Sequence, residues 1–488
     1  MKGIPRTGLK GSRIQALTKD EVEHVHRSSL RLLEKTGVLI HDDDLLGLLD
    51  VNGCRVDPAT KVAQLPGELV EDTLKKAPDR VRLCGRDKRY DMELGGGTLY
   101  ARTPGGPPHI LDLETQRQRK STIKDVGQCA RVADALPNIH GVSMVQCVPM
   151  DVPTQLIDIY AAEASLNNTQ KPLFYICHNE RLIEFVLEMA ATVVGGEEML
   201  RERPLVAGFC EVTSPLRLDP SPIKVLKTFS SRGLPLIVHS HPIAGFSSPV
   251  TLAGEVTLMN AETLAAVTIA QLIHPGAPII YGTSASVPDM RTALNLAGAV
   301  EGGLLGCALA QMAQRYHLPS SMTSGIDAKT PDAQASMERI LTALPPILAG
   351  IDLINLSTID TKLTFSLEQL VIDNELLRVV ARLLRGIVVD EEHVAVELIE
   401  KVGHRAGFLT ERHTVQHFRE ELLDLDLVSR ESWETWESAG SKTLHQKARE
   451  EAIRILREHR PQPLSEETQQ HLTKLVESGC ARVQVMNE

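Results

Sequence analysis

The stretch 204-PLVAGFCEV-212 decides the fold, because it is apolar at its start, turns polar at its end and precedes a helix-like segment. Runs of the same form recur about every 25 to 45 residues, with helix-like stretches between them. The other seven are 98-TLYAR, 140-HGVSMVQCVP, 172-PLFYICHN, 234-LPLIVHSHP, 277-APIIYGTSAS, 318-LPSSMTSGID and 351-IDLINLSTID. This alternation predicts an α/β fold, a (β/α)8 barrel of parallel strands.

Prolines mark the starts of several predicted strands. Pro172, Pro204 and Pro319 stand at or near the starts of three runs, where they end the preceding helix. The runs lack long period-two alternation, as expected of strands that are covered on both faces. An open doubly wound sheet is the alternative architecture, because alternation alone does not prove closure.

The chain of 488 residues is longer than a barrel of about 250 to 290 residues needs. We therefore expect a mostly helical N-terminal appendage over 1–97, the barrel over 98–385, and a helical C-terminal extension over 386–488 that packs on the barrel. Thr18 and Glu21 form a capping-box pattern that predicts the first helix of the appendage. The predicted barrel helices span 122–135, 154–168, 181–195, 220–232, 251–273, 292–316, 331–349 and 366–385.

Composition excludes several classes of protein. Lys and Arg total 52 against 63 Asp and Glu, and the net charge of −11 disfavours nucleic-acid binding. The eight cysteines have no CxxC spacing, which indicates reduced thiols rather than a zinc ribbon or a disulfide scaffold. No secretory signal, membrane span, P-loop or Gly-x-Gly-x-x-Gly pattern is found, so we expect a cytoplasmic protein that is not bound to membranes.

Candidate site residues follow from the architecture, because barrel enzymes build their sites from strand ends and the loops after them. Tyrosine rings near strand ends would offer faces to a cationic ligand, a contact that contributes on the order of 2 kcal/mol when desolvated. Glu211 would supply the counter-charge, although it is equally suited to pairing with a neighbouring arginine. We assign catalytic roles to Glu211, His239 and Tyr281, and substrate binding to Tyr100, Arg102, Tyr175, His178, Asp327 and Asn355.

The pair His239 and His241 keeps a second kind of site open. Two imidazoles on one strand face bind zinc when a third ligand converges, and Cys177 or His178 could provide it. A zinc-dependent barrel hydrolase is therefore an alternative, although we assign no metal ligand.

Ten stretches in a fixed order resemble the trimethylamine methyltransferase family nearly end to end. They are 28-SSLRLLEKTGV, 85-GRDKRYDMELGGG, 111-LDLETQRQR, 126-VGQCARVADALPNI, 214-SPL, 271-QLIHPGAPIIYGT, 289-DMRT, 327-DAKTPDAQAS, 373-DNELL and 385-RGIVVDEE. The resemblance implies a barrel enzyme that transfers a methyl group from a methylated amine to a corrinoid protein.

The founding members of that family carry pyrrolysine near the position of 322-MTSGID, whereas every residue here is a standard one. The chain thus resembles the branch without pyrrolysine, whose substrates are quaternary amines such as glycine betaine, and trimethylamine becomes doubtful as its substrate. Arg102 would then pair with a substrate carboxylate. An Asp-x-His-x-x-Gly motif, by which corrinoid modules supply a histidine to cobalt, is absent. We expect the corrinoid to be carried by a partner protein and not by this chain.

Three hypotheses therefore stand at this point. The first is a methyltransferase that moves a methyl group from a quaternary amine to the Co(I) of a separate corrinoid protein. The second is the zinc-dependent hydrolase, and the third is a barrel that binds a betaine without catalysis. The oligomeric state is open, with a homo-oligomer as an expectation.

Overall fold

A computed structural model describes residues 14–404 and 407–485. Its centre is a sheet of eight parallel strands, in which each strand pairs with the next along the chain. A parallel bridge from Arg102 to Gly141 joins the first strand to the second and closes the ring. The strands are β1 (Tyr100–Arg102), β2 (Val142–Ser143), β3 (Leu173–Tyr175), β4 (Val206–Val212), β5 (Leu236–Ser240), β6 (Ile279–Thr283), β7 (Ser320–Thr323) and β8 (Leu353–Asn355).

All eight strands lie inside the predicted runs, so the predicted (β/α)8 barrel is confirmed. The open doubly wound sheet is wrong, because the first and last strands pair with each other at Tyr100 and Leu353. The carboxyl ends of all eight strands consequently face one mouth.

At least one helix follows each strand and packs on the outside of the ring, and β3 is followed by a second, short helix over Glu197–Glu202. The eight barrel helices are α1 (Ile123–Ala135), α2 (Ile157–Asn168), α3 (Ile183–Val194), α4 (Pro220–Ser231), α5 (Leu252–Ile273), α6 (Val300–Arg315), α7 (Ala333–Ala349) and α8 (Leu367–Arg385). The prediction for α6 began too early, because Val287–Asp289 and Leu294–Leu296 form an antiparallel hairpin in front of it. This hairpin lies on the mouth side of the barrel, in the connection after β6.

Two helices of the outer layer, α6 and α5, are packed closely against the rest of the protein. α6 lies so close to α7 that a β-carbon at Gly303 would come within 2.2 Å of the Leu341 carbonyl oxygen, so Gly303 serves packing within the chain. α5 is the one described helix long and apolar enough to cross a membrane, but 83% of that apolar window is buried inside the protein. α5 is a core helix of the barrel.

The segment before the barrel contains helices Lys19–Lys35, Asp43–Val51 and Gly67–Leu74, as the sequence predicts. It also contains strands, which the prediction of a mostly helical appendage did not include. Val38–Ile40, Arg55–Asp57 and Val62–Gln64 form a small sheet with Arg217–Leu218. Two short hairpins, Val81–Leu83 with Met92–Leu94 and His109–Leu111 with Gln118–Lys120, flank β1, and Thr358–Ile359 and Thr364–Phe365 extend the second of them.

The first of these hairpins closes the end of the barrel that lies opposite the mouth. Val81, Leu83, Met92 and Leu94 form one buried apolar cluster with interior side chains of the strands. The strand residues in that cluster are Tyr100, Phe174, Ala207, Phe209, Ile237, Ile280 and Leu353. We call this cluster the floor of the barrel.

The segment after the barrel is helical, as the sequence predicts. It comprises Glu391–Val394, Val396–Val402, Arg412–Glu421, Trp433–Ser438, Leu444–Glu458 and Glu466–Val485. Ala448, Ala452 and Leu472 belong to the same hydrophobic core as the barrel helices and Leu33 of the first helix. The predicted boundaries at 97 and 385 stay predictions, and residues 1–13, 405–406 and 486–488 of the two terminal segments lie outside the described residues.

Candidate functional site

A carboxylate and an imidazole lie side by side at the mouth of the barrel. Glu211 of β4 and His239 of β5 are register partners. Each lies two residues beyond an interior floor residue, Phe209 and Ile237 respectively. Because residues two apart on a strand share a face, both side chains point into the barrel near its open end. The structure thus brings together two of the three residues predicted to be catalytic.

Glu211 is the exposed anion of this mouth. Its side chain is 52% exposed, and its Oε1 lies 3.3 Å from Nδ1 of His241. This hydrogen bond and the nearby positive charge of Lys362 lower the pKa of Glu211 to about 2, against the opposing effect of burial. The carboxylate is therefore ionised at neutral pH and can pair with a cation.

His239 differs from Glu211 in being enclosed. Burial lowers its pKa to about 3, so the ring is neutral at neutral pH. Nε2 lies 3.1 Å from the Ser284 hydroxyl, and the ring meets the Phe209 ring edge-on at 5.3 Å between centroids. A neutral ring in this place contributes an apolar wall beside the carboxylate.

An open cavity of about 300 Å³ lies next to Glu211. It is lined by Ile176, Cys177, Phe209, Thr213, Asp219, Ser221, Pro222 and Val225. Phe209 lies on β4 and the other residues follow β3 or β4, so the cavity opens on the mouth side.

Several interior polar atoms near the mouth have no hydrogen-bond partner among residues 14–404 and 407–485. They are Arg102 Nε, His239 Nδ1, Ser321 Oγ, Asn355 Oδ1 and His241 Nε2. Buried polar atoms are usually paired, and unpaired ones mark places where water or a ligand completes the bonding. Asn355, one of the predicted binding residues, belongs to this set, and its amide nitrogen donates to Thr323 Oγ1 at 2.9 Å.

Arg102 lies inside the barrel but is only 1% exposed. Its guanidinium carbon lies over the rings of Phe174 and Phe209, 5.0 and 4.8 Å from their centroids, and Nη1 donates to the Thr103 carbonyl and the Ser143 hydroxyl. Burial lowers the pKa of Arg102 to about 9. Arg102 is not among the residues that line the open cavity, so its position does not favour the predicted pairing with a substrate carboxylate.

Asp327 lies in the connection after β7 and acts as an acceptor for the surrounding backbone. Its Oδ1 accepts from the Ala297 N–H at 2.7 Å and from the Thr361 hydroxyl at 3.0 Å, and Oδ2 accepts from the Gly298 N–H. The carboxylate holds three segments together, which differs from the predicted contact with substrate.

Tyr175 and His178 are both tied to Asp158 of α2. The Tyr175 hydroxyl donates to Oδ2 at 2.9 Å, and the ring stacks on Phe229, so Tyr175 faces the helix layer. Nδ1 of His178 lies 3.0 Å from Oδ1, and this interaction raises the pKa of His178 although burial acts against it. The prediction that Tyr175 offers a ring face to the mouth is wrong, and His178 stands at the edge of the mouth with its Nδ1 engaged.

Tyr281 and Tyr100 also lie away from the mouth. The Tyr281 hydroxyl donates to Oδ1 of Asn260 on α5 at 2.6 Å, so the ring points outward between β6 and the helices. Tyr100 lies in the floor, where its hydroxyl accepts from the Glu93 N–H at 3.3 Å. The predicted set of tyrosine faces around a cation is therefore wrong, and Tyr281 does not touch the candidate site.

Lys362 is a charged residue of the mouth that sequence reasoning missed. It follows β8 in a turn, and its ammonium attracts the carboxylates of Asp327 and Glu211. Burial nevertheless lowers the pKa of Lys362 to about 8. No feature of the sequence around this lysine indicates that it points inward.

The zinc alternative requires a third ligand beside His239 and His241, whose ring centroids are 6.5 Å apart. His178 is held by Asp158, and burial raises the pKa of the Cys177 thiol to about 12. In the described part of the chain no three His, Cys, Asp or Glu side chains are arranged to hold a metal ion. The geometry therefore does not favour a zinc-dependent hydrolase.

The sequence was compared with models of known protein families. The family model described as trimethylamine methyltransferase matches residues 4–482. The chain belongs to the trimethylamine methyltransferase family. It is a methyltransferase of the methylamine type, and the resemblance seen in the sequence is confirmed.

Relatives in the family carry names with different substrates. The chain is 36% identical to the trimethylamine methyltransferase of Desulfitobacterium hafniense DCB-2, over 97% of this chain and 95% of that protein. It is 30% identical to the glycine betaine methyltransferase of Desulfitobacterium hafniense Y51, over 86% and 88% respectively. The trimethylamine methyltransferase of Methanosarcina thermophila is 33% identical over 93% of this chain and 95% of its own length.

A solved structure supports the fold at low sequence identity. The monomethylamine methyltransferase of Methanosarcina barkeri matches with a TM-score of 0.50 at 11% identity, covering 93% of this chain and 96% of that one. Its complex with hydroxylamine matches with a TM-score of 0.51 over the same shares. These matches concern the barrel architecture alone.

Proposed function

We propose that this protein moves a methyl group from a quaternary amine of the glycine betaine type to the cobalt(I) of a corrinoid on a separate protein. The observation that carries the proposal is the ionised carboxylate of Glu211, half exposed at the open end of a barrel of this family. A quaternary ammonium needs an anion nearby, and Glu211 remains charged over the whole physiological pH range.

The reaction makes modest demands on the protein. The corrinoid supplies a nucleophilic cobalt(I) that takes the methyl group. The nitrogen keeps the electron pair of the broken N–C bond and leaves as a neutral tertiary amine, so no proton has to move. The residues of this chain therefore act by binding and orienting the substrate and by excluding water.

Different residues of the mouth would bind the ammonium, exclude water and form hydrogen bonds to the substrate. Glu211 attracts the ammonium, and the neutral rings of His239 and Phe209 form the apolar wall beside it. The unpaired atoms of Ser321 and Asn355 lie on β7 and β8 and offer hydrogen bonds to the rest of the substrate or to ordered water.

The corrinoid partner is supported by the rim around the mouth. Exposed apolar side chains occur in four of the connections that follow barrel strands, and a group of such side chains around one mouth is suited to contact with another protein. They are Met150, Phe246, Val250, Met290, Leu294 and Leu363, of which Met290 is 72% exposed. Because the sequence lacks the cobalt-ligating histidine motif, we assign the corrinoid to a protein that covers this rim.

The remaining predictions concern the setting of the enzyme. We place the protein in the cytoplasm, on the basis of its reduced-thiol composition. All eight cysteines are free in the structure. A homo-oligomer stays a prediction.

The test incubates the protein with cobalt(I) cobalamin and, separately, glycine betaine, choline, trimethylamine and dimethylamine. We expect the absorbance change of cobalamin methylation with a quaternary amine. Reaction with trimethylamine alone would contradict the substrate assignment. Binding of a betaine without methylation of cobalt would instead support the non-catalytic barrel.

A further inference from the structure

The turn after β8 contains three successive residues in a left-handed backbone conformation. Asp360, Thr361 and Lys362 all have positive φ angles, of 55°, 54° and 69°. Residues other than glycine seldom adopt this conformation, and three in succession persist only where the surroundings enforce them.

The surroundings do fix this turn, through contacts with the connection after β7. The Thr361 N–H donates to the Ile326 carbonyl at 2.9 Å, and the Asp360 N–H donates to the Ala328 carbonyl at 2.8 Å. The Thr361 hydroxyl donates to Asp327 at 3.0 Å. Lys362 is therefore held in a defined position although it lies in a loop.

The side chain of Lys362 has room because residue 325 is glycine. A β-carbon at Gly325 would come within 3.0 Å of Lys362 Cε, and within 2.4 Å of Ala297 Cβ. The aliphatic part of Lys362 thus runs against the backbone of the β7 connection. Its ammonium lies where Glu211 and Asp327 both act on it.

The ammonium has no partner at bonding distance in the described part of the chain, because both carboxylates interact with it only through space. Asp327 already accepts three hydrogen bonds, and Glu211 interacts with His241. The three donors of a lysine ammonium favour an anion when one is available. Arg102 is only 1% exposed, whereas Lys362 is half-buried, so Lys362 is the more accessible of these two cations to a ligand in the mouth.

We infer that Lys362 is a specificity-determining residue: it binds the carboxylate of a betaine substrate and so selects zwitterions over quaternary amines without an anionic group. This inference rests on the proposed function and deepens it. The ammonium of the substrate pairs with Glu211 and its carboxylate with Lys362. A quaternary amine without an anionic group would leave Lys362 unpaired beside a second positive charge, and the site would reject it.

Burial of Lys362 should make substrate binding depend on pH. Since its pKa is lowered to about 8, the amine loses its proton at pH values where an exposed lysine would keep it. Binding of a zwitterionic substrate should therefore weaken as the pH rises from 7 to 9, whereas binding of a simple cation should not weaken in the same way.

The experiment compares glycine betaine with choline, in which a hydroxymethyl group replaces the carboxylate. Binding is measured by calorimetry without cobalamin, and methyl transfer is measured with cobalt(I) cobalamin. We expect Lys362→Met to raise both Kd and KM for glycine betaine about 10- to 100-fold, with kcat changed much less, and to leave choline unchanged or better bound. Lys362→Arg should restore part of the affinity for glycine betaine, and Lys124→Met, at an exposed lysine on α1, should change nothing.

Equal losses for glycine betaine and choline, or unchanged binding of glycine betaine, would overturn the role of Lys362. Melting temperatures of the variants separate this result from a folding defect. If no quaternary amine methylates cobalamin, the proposed function fails. The selective loss of betaine binding in Lys362→Met would then still support the anion site, since calorimetry does not depend on turnover.

Discussion

The floor and the mouth of the barrel are built by the same eight strands, yet their side chains differ in burial and polarity. In the floor, Leu94, Tyr100 and Phe174 belong to a closed apolar cluster and are essentially inaccessible to solvent. At the mouth, Glu211 is half exposed, and buried atoms of Asn355 and His239 have no hydrogen-bond partner within residues 14–404 and 407–485. The comparison indicates that the floor stabilises the barrel, whereas the mouth keeps polar groups available for a ligand.

The largest effect is expected from a cavity in the floor. Leu94→Ala removes a fully buried side chain of the hairpin that closes the barrel. We expect the free energy of unfolding to fall by about 2 to 5 kcal/mol, while methyl transfer per folded molecule stays within about twofold. Urea denaturation measures the first quantity, and Val51→Ala, at a residue 80% exposed, is the control. A selective loss of activity would show that the floor and the mouth are not separate.

The second effect concerns the charge of the mouth. Glu211→Gln keeps the shape of the side chain and removes the anion, so we expect kcat/KM for glycine betaine to fall about 30- to 100-fold without a change in melting temperature. Glu188→Gln, at an exposed glutamate on α3, is the matched control. Equal kinetics for the variant and the wild type would remove Glu211 from the site.

A third effect concerns Glu255, a fully buried carboxyl of α5 that lies near the backbone N–H of Ser286. Burial raises its pKa from 4.5 to about 8. Between these values the folded state holds a proton that the unfolded state releases, so the stability of the protein falls as the pH rises from 4.5 to 8. We expect Glu255→Gln to flatten this dependence and to add about 1 to 3 kcal/mol at pH 8.

Denaturation curves at pH 5 and pH 8 test the role of Glu255. The wild type should lose stability relative to Glu255→Gln only at the higher pH. A constant difference between the two proteins at both pH values would argue against titration of this carboxyl.

The smallest effect is expected at Tyr281. Tyr281→Phe removes the hydroxyl that donates to Asn260, so stability should fall by about 1 kcal/mol. Turnover should not change, because the ring faces the helix layer and not the mouth. Thermal unfolding measures the stability, and cobalamin methylation measures the turnover. A tenfold loss of turnover at unchanged stability would show that Tyr281 takes part in the reaction.

The architecture could be predicted because its signals are local. Prolines such as Pro172 and Pro204 end helices, and the apolar runs after them are long enough to be strands. The α6 boundary could not be placed in the same way, since the hairpin Val287–Asp289 with Leu294–Leu296 depends on its position at the mouth.

The site was harder to predict because strands buried on both faces do not show which face is inside. Glu211 and His239 were found because ionisable side chains at strand ends are rarely placed in an apolar layer. Tyr175 and Tyr281 pack well on either face, and the sequence does not distinguish the two orientations. Lys362 was missed because its inward position depends on the strained turn and on Gly325, which meet only in the folded protein.

The most direct test of the account is a crystal structure of the protein soaked with glycine betaine. We predict that the trimethylammonium group lies at the mouth about 4 to 6 Å from the Glu211 carboxylate, with a methyl group facing the open end of the barrel. Betaine bound only in the outer crevice lined by Glu184, Glu188 and Glu197, or away from Glu211, would contradict it.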